Sequence, residues 1–182
     1  MFDNVAGVIE FEVFTANSDR WLFVDVPHGA TRKADYDAVF AQLKGALPAQ
    51  LEQFFFVNTD IGAPEGAQYL GRTLSKQGIN VVFARCLIPR TFIDCNRRID
   101  AAPEDFKAGK VTPGLMPWII TDADRELLRG GYDRYIGAVR DAVSLLRADG
   151  GLLMLHTYAP RTVDVEVDHD IGPKLRRAYH PD

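Results

Sequence analysis

One stretch of the chain, residues 81–98, places a polar cluster directly after a buried strand. It begins with a run of apolar and β-branched residues, which is typical of a strand inside a sheet. Arg90, Asp94, Asn96 and Arg97 then follow one another within eight residues. Burying so many charged and amide groups is costly unless they pair with each other or with an anionic ligand. This combination predicts a binding site at the end of the strand.

The rest of the chain alternates between two periodicities. Alternating or continuous apolar runs predict strands at residues 5–14, 21–26, 54–57, 79–84 and 152–155. Apolar residues at helical spacing predict helices from about Lys33, from Pro64 and from Thr121 or Asp122, and Gly130–Gly131 is expected to split the last one. This alternation predicts an α/β fold, a three-layer sandwich with a mixed, largely parallel central sheet.

Two regions lack periodicity. Residues 100–118 are punctuated by proline and glycine, and a loop of that length in a compact domain is usually functional. After Tyr158 the sequence is polar and irregular, and it predicts no closing element.

The overall composition limits the class of protein. A length of 182 residues supports one domain, 1–182, and a net charge of −4 argues against nucleic acid as a partner. No apolar run approaches membrane-spanning length, and no signal peptide is evident. Cys86 and Cys95 lack metal-binding spacing, which favours reduced thiols and a cytoplasmic location. Nothing in the sequence indicates an oligomeric state.

Polar residues follow four of the predicted strands: His28, Asp60, the 90–97 group and His156. Ligands of parallel α/β sheets gather outside the carboxyl ends of the strands. Taken singly, each residue has a plain explanation: a histidine in a turn, an aspartate as a helix N-cap, an arginine lying on the surface. Together, two histidines and a carboxylate would form an open zinc site, although the sequence has no H-E-x-x-H pattern.

Paired arginines beside such a site suit a substrate carboxylate, which they can bind in bidentate fashion. An open zinc site activates water for attack on a carbonyl. The residues therefore predict metal-assisted hydrolysis of an amide on a small carboxylic acid.

Several segments, in order along the chain, resemble the N-formylglutamate amidohydrolase (deformylase) family, which is related to the zinc carboxypeptidases and aspartoacylase. Arg-x-x-x-Asp-x-Asn-Arg at 90–97 is similar to the most specific family motif, Ser-Arg-x-x-x-Asp-x-Asn-Arg. Shorter matches are Val-Pro-His-Gly-Ala at 26–30, Asn-Thr-Asp-Ile-Gly-Ala at 58–63, Thr-Pro-Gly-Leu-Met-Pro at 112–117 and Leu-His-Thr at 155–157. The resemblance covers about residues 21–160.

The resemblance implies a phosphorylase/hydrolase-like fold of the zinc-exopeptidase type, with zinc or another divalent metal at His28 and His156. Asp60 is chosen as the third ligand. It also implies that Arg90, Asn96 and Arg97 bind the substrate carboxylates. Arg90 or the metal would polarise the scissile carbonyl. A carboxylate would act as general base, and Glu166 is the candidate, because aspartoacylase relatives place a glutamate after their last histidine.

The sequence differs from the family pattern at three positions: Thr31 replaces a glutamate ligand, Pro89 a serine and Met154 an acidic residue. Family members are usually longer, which indicates a short form or a chain without C-terminal elements. The leading interpretation is hydrolysis of an N-formyl or N-acyl amino acid such as N-formylglutamate. One alternative is a relative that binds a small carboxylated ligand without hydrolysing it. Another is a structural domain whose histidines and arginines satisfy each other.

Overall fold

A single mixed sheet organises the fold in this computed structural model, which describes residues 2–99, 114–146, 150–158 and 170–179. Its strands are β1 (Ile9–Phe14), β2 (Trp21–Val26), β3 (Asn80–Cys86) and β4 (Gly151–Met154), in the order β1-β3-β2-β4. β1 is antiparallel to β3, and the other two pairs are parallel. The predicted α/β class and mixed sheet are therefore confirmed.

Five helices are found in the described residues: α1 (Lys33–Phe40), α2 (Leu51–Val57), α3 (Ala63–Lys76), α4 (Asp122–Ser144) and α5 (Ile171–Tyr179). The predicted start of α4 is confirmed, because the Thr121 hydroxyl accepts a hydrogen bond from the Asp124 amide at 3.2 Å. None of these helices is long and apolar enough to cross a membrane.

The core has two parts, one on each face of the sheet. Successive residues of a strand point to opposite faces, so Phe23 joins a cluster with side chains of α1, α2 and α4, such as Tyr36 and Tyr135. Val24, the next residue, packs instead with Ala67 of α3. Burial on both faces explains the near-continuous apolar runs of β2 and β3. Because β2, β3 and β4 run in the same direction, the segments that follow them lie at one edge of the sheet.

The predicted strand at 54–57 is wrong, because these residues belong to helix α2. Its buried side chains are Leu51, Phe54 and Phe55, at positions i, i+3 and i+4 of one helical face. Four consecutive apolar residues fit a buried strand and a short amphipathic helix equally well. Asp60 therefore follows a helix, and not a strand as expected.

Three other expectations about the elements are corrected. Helix α4 continues through Gly130–Gly131, and a Cβ built on Gly131 would lie 3.1 Å from Ile88 Cδ1, so the small residue serves close packing. The first strand begins at Ile9 because the chain before it turns at Gly7, whose φ is +68°. Helix α5 provides a regular element after Tyr158, where none was expected. Of the predicted loop at 100–118, only residues 114–118 lie within the described part.

Candidate metal centre and anion pocket

His28 lies in a tight turn directly after β2. The Gly29 amide donates to the Val26 carbonyl at 3.1 Å, and a Cβ on Gly29 would lie 2.7 Å from Arg85 Cγ. Only glycine fits this close approach. The turn directs the His28 imidazole into the protein, where only 4% of the residue is exposed.

Asp94 fixes the orientation and the tautomer of His28. Its Oδ1 lies 2.8 Å from His28 Nε2. An ionised carboxylate only accepts hydrogen bonds, so Nε2 carries a hydrogen and donates it. The other ring nitrogen, Nδ1, is buried and has no hydrogen-bond partner among the described residues. Such an arrangement, with a carboxylate behind one nitrogen and the second one free, is typical of histidines that bind metals.

Asp60 brings the two histidines together. Its Oδ2 lies 2.8 Å from His156 Nδ1 and 3.4 Å from His28 Nδ1. The segment that carries Asp60 is attached to the turn after β2, because the Thr59 hydroxyl donates to the Ala30 carbonyl at 2.8 Å. His156 follows β4, and the two imidazole centroids are 5.0 Å apart.

A cation would stabilise the approach of His28 Nδ1 to Asp60 Oδ2. With its hydrogen on Nε2, a neutral imidazole presents a lone pair to the lone pairs of the carboxylate, and these repel each other. Either a proton on Nδ1 or a metal ion between the two atoms removes the repulsion. Both species are consistent with a site built to hold positive charge.

The geometry fits a divalent metal. One ligand atom from each of His28, Asp60 and His156 lies within 4.8 Å of the other two. Tetrahedral zinc with ligands at about 2.0–2.2 Å separates them by about 3.3–3.5 Å. The 3.4 Å between His28 Nδ1 and Asp60 Oδ2 matches this spacing, whereas the 2.8 Å from His156 Nδ1 is a hydrogen-bond distance that would widen slightly around a metal. The expected ligand set is therefore brought together.

Charges in the site stabilise one another. Burial disfavours the His28 imidazolium, but its interactions with the carboxylates of Asp60 and Asp94 outweigh this effect and raise the pKa of His28 above its usual value. Burial also disfavours the Asp60 carboxylate, yet its contacts with His28 and His156 lower its pKa. Asp94 behaves in the same way: burial opposes its charge, and His28 and Arg90 lower its pKa.

The segment after β3 places the predicted anion-binding residues around Asp94. Arg90 Nε donates to Asp94 Oδ2 at 2.9 Å, and Arg97 Nε lies 3.7 Å from the same oxygen. The Asn96 backbone N–H donates to Asp94 Oδ1 at 2.9 Å, while the side-chain Nδ2 of Asn96 lies 3.4 Å from His156 Nε2. One carboxylate thus contacts His28 and both arginines.

These residues line one cavity of about 420 Å³, a volume suited to a small-molecule ligand. His28, Asp60 and His156 contribute to it together with Arg90, Asn96 and Arg97. The structure therefore brings six of the seven predicted site residues to one pocket. The seventh, Glu166, lies outside the described residues.

The sequence places Asp94 in the polar cluster but indicates no role for it. A signal was present, because the aspartate lies between two arginines at spacings i−4 and i+3, where it can pair with both. Its contact with His28, 66 positions away, carries no local signal. The apolar side chains of the cavity, which include Phe56, Ile61 and Tyr158, were also not foreseen as part of the site.

Comparisons of the chain with known protein families, with curated proteins and with solved structures found no match.

Proposed function

We propose that this chain is a metal-dependent hydrolase that cleaves the amide of an N-formyl or N-acyl amino acid, the class that includes N-formylglutamate. We further propose that its fold is a three-layer sandwich of the phosphorylase/hydrolase type found in zinc exopeptidases. The observation that carries the proposal is the convergence of His28 Nδ1, Asp60 Oδ2 and His156 beside two arginines in one cavity.

In this proposal, His28, Asp60 and His156 hold zinc or another divalent metal. When bound, such an ion lowers the pKa of water and polarises a carbonyl group. Asp94 positions the imidazole of His28 through Nε2 and keeps Nδ1 available. Burial of His28 and Asp60 excludes bulk water from the inner side of the site, which strengthens electrostatic interactions there.

The anion-binding residues hold the substrate. Arg97 and Asn96 bind the carboxylate of the amino acid, since both line the cavity and the Arg97 side chain is 38% exposed. Arg90 stabilises the negative charge that develops on the carbonyl oxygen, as donors fixed in advance do in other hydrolases. Glu166 remains the proposed general base, and it accepts the proton of the attacking water.

A second candidate function is binding of a small carboxylated ligand without hydrolysis. The 2.8 Å hydrogen bond from His156 Nδ1 to Asp60 Oδ2 favours it, because the pocket is internally satisfied at this point without a metal.

The thiols of Cys86 and Cys95 are free and buried, which supports a reducing compartment such as the cytoplasm for either function.

Metal content separates the two candidates. Protein purified without chelators is expected to contain about one equivalent of zinc or another divalent metal and to hydrolyse N-formyl amino acids. Asp60→Ala should lose the metal, whereas Asp133→Ala, which removes an exposed carboxylate from α4, should retain it. Less than about a tenth of an equivalent in wild-type protein, also after incubation with zinc, would overturn the hydrolase proposal.

A further inference from the structure

We infer that the substrate carries a single carboxylate and a separate apolar group, so that this pocket selects against dicarboxylates such as N-formylglutamate. The inference depends on the proposed function and narrows its substrate class. It is drawn from the charge balance of the anion pocket and from the apolar side chains that line the same cavity.

The charge balance leaves room for one substrate carboxylate. Arg90 and Arg97 are the arginines of the described cavity wall, and both lie within 4.0 Å of Asp94. Two guanidinium groups against one carboxylate leave one positive charge without compensation. Asp94 lies behind the arginines, and Asp60, the acid of the described wall itself, is engaged with His28 and His156. A second substrate carboxylate would therefore have no cation of its own among the described lining residues.

The other described wall residues include a set of exposed apolar side chains: Phe56, Val57, Ile61 and Tyr158. Phe56 and Val57 end helix α2, Ile61 follows Asp60, and Tyr158 follows His156 by two residues. Isolated apolar residues on a surface need no explanation, but a group of them around one cavity indicates a binding surface. A carboxylate placed against them would lose hydration without gaining a partner.

This apolar wall is held in place. The Ile61 carbonyl accepts a hydrogen bond from the Thr157 hydroxyl at 2.9 Å, which joins the segments of Asp60 and His156. Gly62, with a φ of +87°, makes the turn that leads from Ile61 into α3. The Phe56 ring packs edge-on against the buried Phe55, with centroids 5.0 Å apart. The backbone at Ile61 and the ring of Phe56 are thus fixed before a ligand binds, which favours affinity.

Two kinds of substrate carry one carboxylate and a separate apolar group. The apolar group is either the side chain of the amino acid, as in N-formyl-L-leucine, or the acyl chain, as in N-hexanoylglycine. Both present one carboxylate to Arg97 and an apolar group to the wall that includes Ile61. Comparing the two tells which part of the substrate faces the wall.

The test compares kcat/KM of the metal-loaded protein for N-formyl-L-leucine, N-hexanoylglycine, N-formylglycine and N-formyl-L-glutamate. At least one of the two apolar substrates should exceed both N-formylglycine and N-formylglutamate by about 10-fold or more, as expected for an apolar group in an apolar pocket. N-formylglutamate equal to or better than both apolar substrates would overturn the inference.

Matched variants test whether the preference for an apolar substrate comes from the apolar wall. Ile61→Ala should lower the ratio of kcat/KM between the preferred apolar substrate and N-formylglycine, whereas Ile120→Ala should leave that ratio unchanged. The two isoleucines are 61% and 59% exposed, so the pair is matched in solvent accessibility, and only Ile61 lines the cavity. Tyr158→Ala and Tyr69→Ala form a second pair of the same design. If this ratio of kcat/KM is the same in the two isoleucine variants and also the same in the two tyrosine variants, the apolar wall does not determine the preference.

Failure of the proposed function is distinguishable from failure of this inference. If no compound is hydrolysed with metal present, the hydrolase proposal is wrong, and the same four compounds are then compared by isothermal titration calorimetry. Tighter binding of an apolar compound than of N-formylglutamate would still support the inference. Equal or weaker binding, or no binding of any of the four, would overturn it.

Discussion

His28 Nε2 lies 2.8 Å from Asp94 Oδ1, and both side chains are buried. The same carboxylate accepts from Arg90 through Oδ2, so the proposed metal ligand His28 and the proposed anion-binding residue Arg90 share one partner. A change at Asp94 should therefore affect metal affinity and substrate binding together, although this residue touches neither ligand in the proposed arrangement.

Asp94→Asn should weaken metal binding about 10- to 100-fold, the usual effect of removing a carboxylate behind a metal-binding histidine. The amide no longer stabilises the charge of the ligated imidazole or compensates the guanidinium of Arg90. Competition with a chelating dye measures the dissociation constant, and thermal unfolding checks that the variant is folded. Asp133→Asn, at an exposed position of α4, is the control. An unchanged dissociation constant in Asp94→Asn would mean that His28 is not a ligand or that its tautomer is set elsewhere.

Arg97→Ala should raise KM by about 10-fold while kcat stays close to the wild-type value. The reason is that a charge-assisted hydrogen bond to the substrate carboxylate, formed equally in the ground state and the transition state, contributes uniform binding. Steady-state kinetics with a single N-formyl amino acid separates the two constants. Arg125→Ala removes an arginine of similar exposure from α4, away from the cavity, and should leave KM unchanged. A fall in kcat at constant KM would instead place Arg97 at the reacting carbonyl.

His156→Ala should abolish both stoichiometric metal binding and turnover, because it removes one of the three proposed ligands. Metal analysis after desalting measures the first and the hydrolase assay the second. His156→Asn preserves a polar side chain near Asp60 and should also lose the metal, so a defect of folding is distinguished from loss of a ligand. Retention of a full equivalent in either variant would exclude His156 from the coordination sphere.

The sequence was sufficient for the parts of the fold that depend on local pattern. β2 and β3 are buried on both faces, and this burial shows in their continuous apolar runs, while Thr121 marks the start of α4. α2 could not be distinguished from a strand, because Phe54–Val57 is too short an apolar run to show a period. The sequence predicts a break at Gly130–Gly131, because the packing partner of Gly131, Ile88, is distant in sequence.

In the candidate site, too, the local sequence pattern predicts some features, and tertiary contacts determine the others. His28, Asp60 and His156 were chosen from their polar character beside apolar runs, and the structure brings them together. The pairing of Asp94 with His28 and the apolar wall around Ile61 depend on tertiary contacts between separate segments. Residue types can indicate which groups a site contains, but the partners that set their tautomers and charges come from the folded chain.

Asp25 should make the stability of the protein depend on pH. Burial, partly offset by the Tyr135 hydroxyl at 2.8 Å, raises the pKa of Asp25 from its ordinary 3.8 to about 6. Between these values the native state binds more protons than the unfolded state, so this group lowers stability as pH rises from about 4 to about 6. Above that window the cost of the buried charge is fully present, about 3 kcal/mol for a pKa of about 6 instead of 3.8.

Asp25→Asn removes this titration. The free energy of unfolding of the variant, relative to wild type, should therefore increase by about 2–3 kcal/mol between pH 4 and pH 7. Urea unfolding at a series of pH values measures the difference in free energy of unfolding between variant and wild type. A destabilising effect of the amide that does not depend on pH shifts this difference by a constant and leaves its slope against pH unchanged. Tyr135→Phe, which removes the donor, should move the window to higher pH. A difference that stays constant from pH 4 to pH 7 would contradict the raised pKa.

Two glycines of α3 should respond in opposite ways to alanine. A Cβ on Gly71 would lie 2.3 Å from Phe14 Cδ2 of β1, whereas a Cβ on Gly66 would meet Leu155 Cδ2 at an ordinary 3.6 Å. Gly71→Ala should destabilise the protein by about 1–3 kcal/mol, because the Phe14 ring must move out of its packed position. Gly66→Ala should be neutral or stabilising by up to about 1 kcal/mol through helix propensity. Urea unfolding of both variants measures the two changes.

Combining Gly71→Ala with Phe14→Leu should recover part of the lost stability if the clash with Phe14 is the cause. No recovery would assign the lost stability to the helix backbone instead.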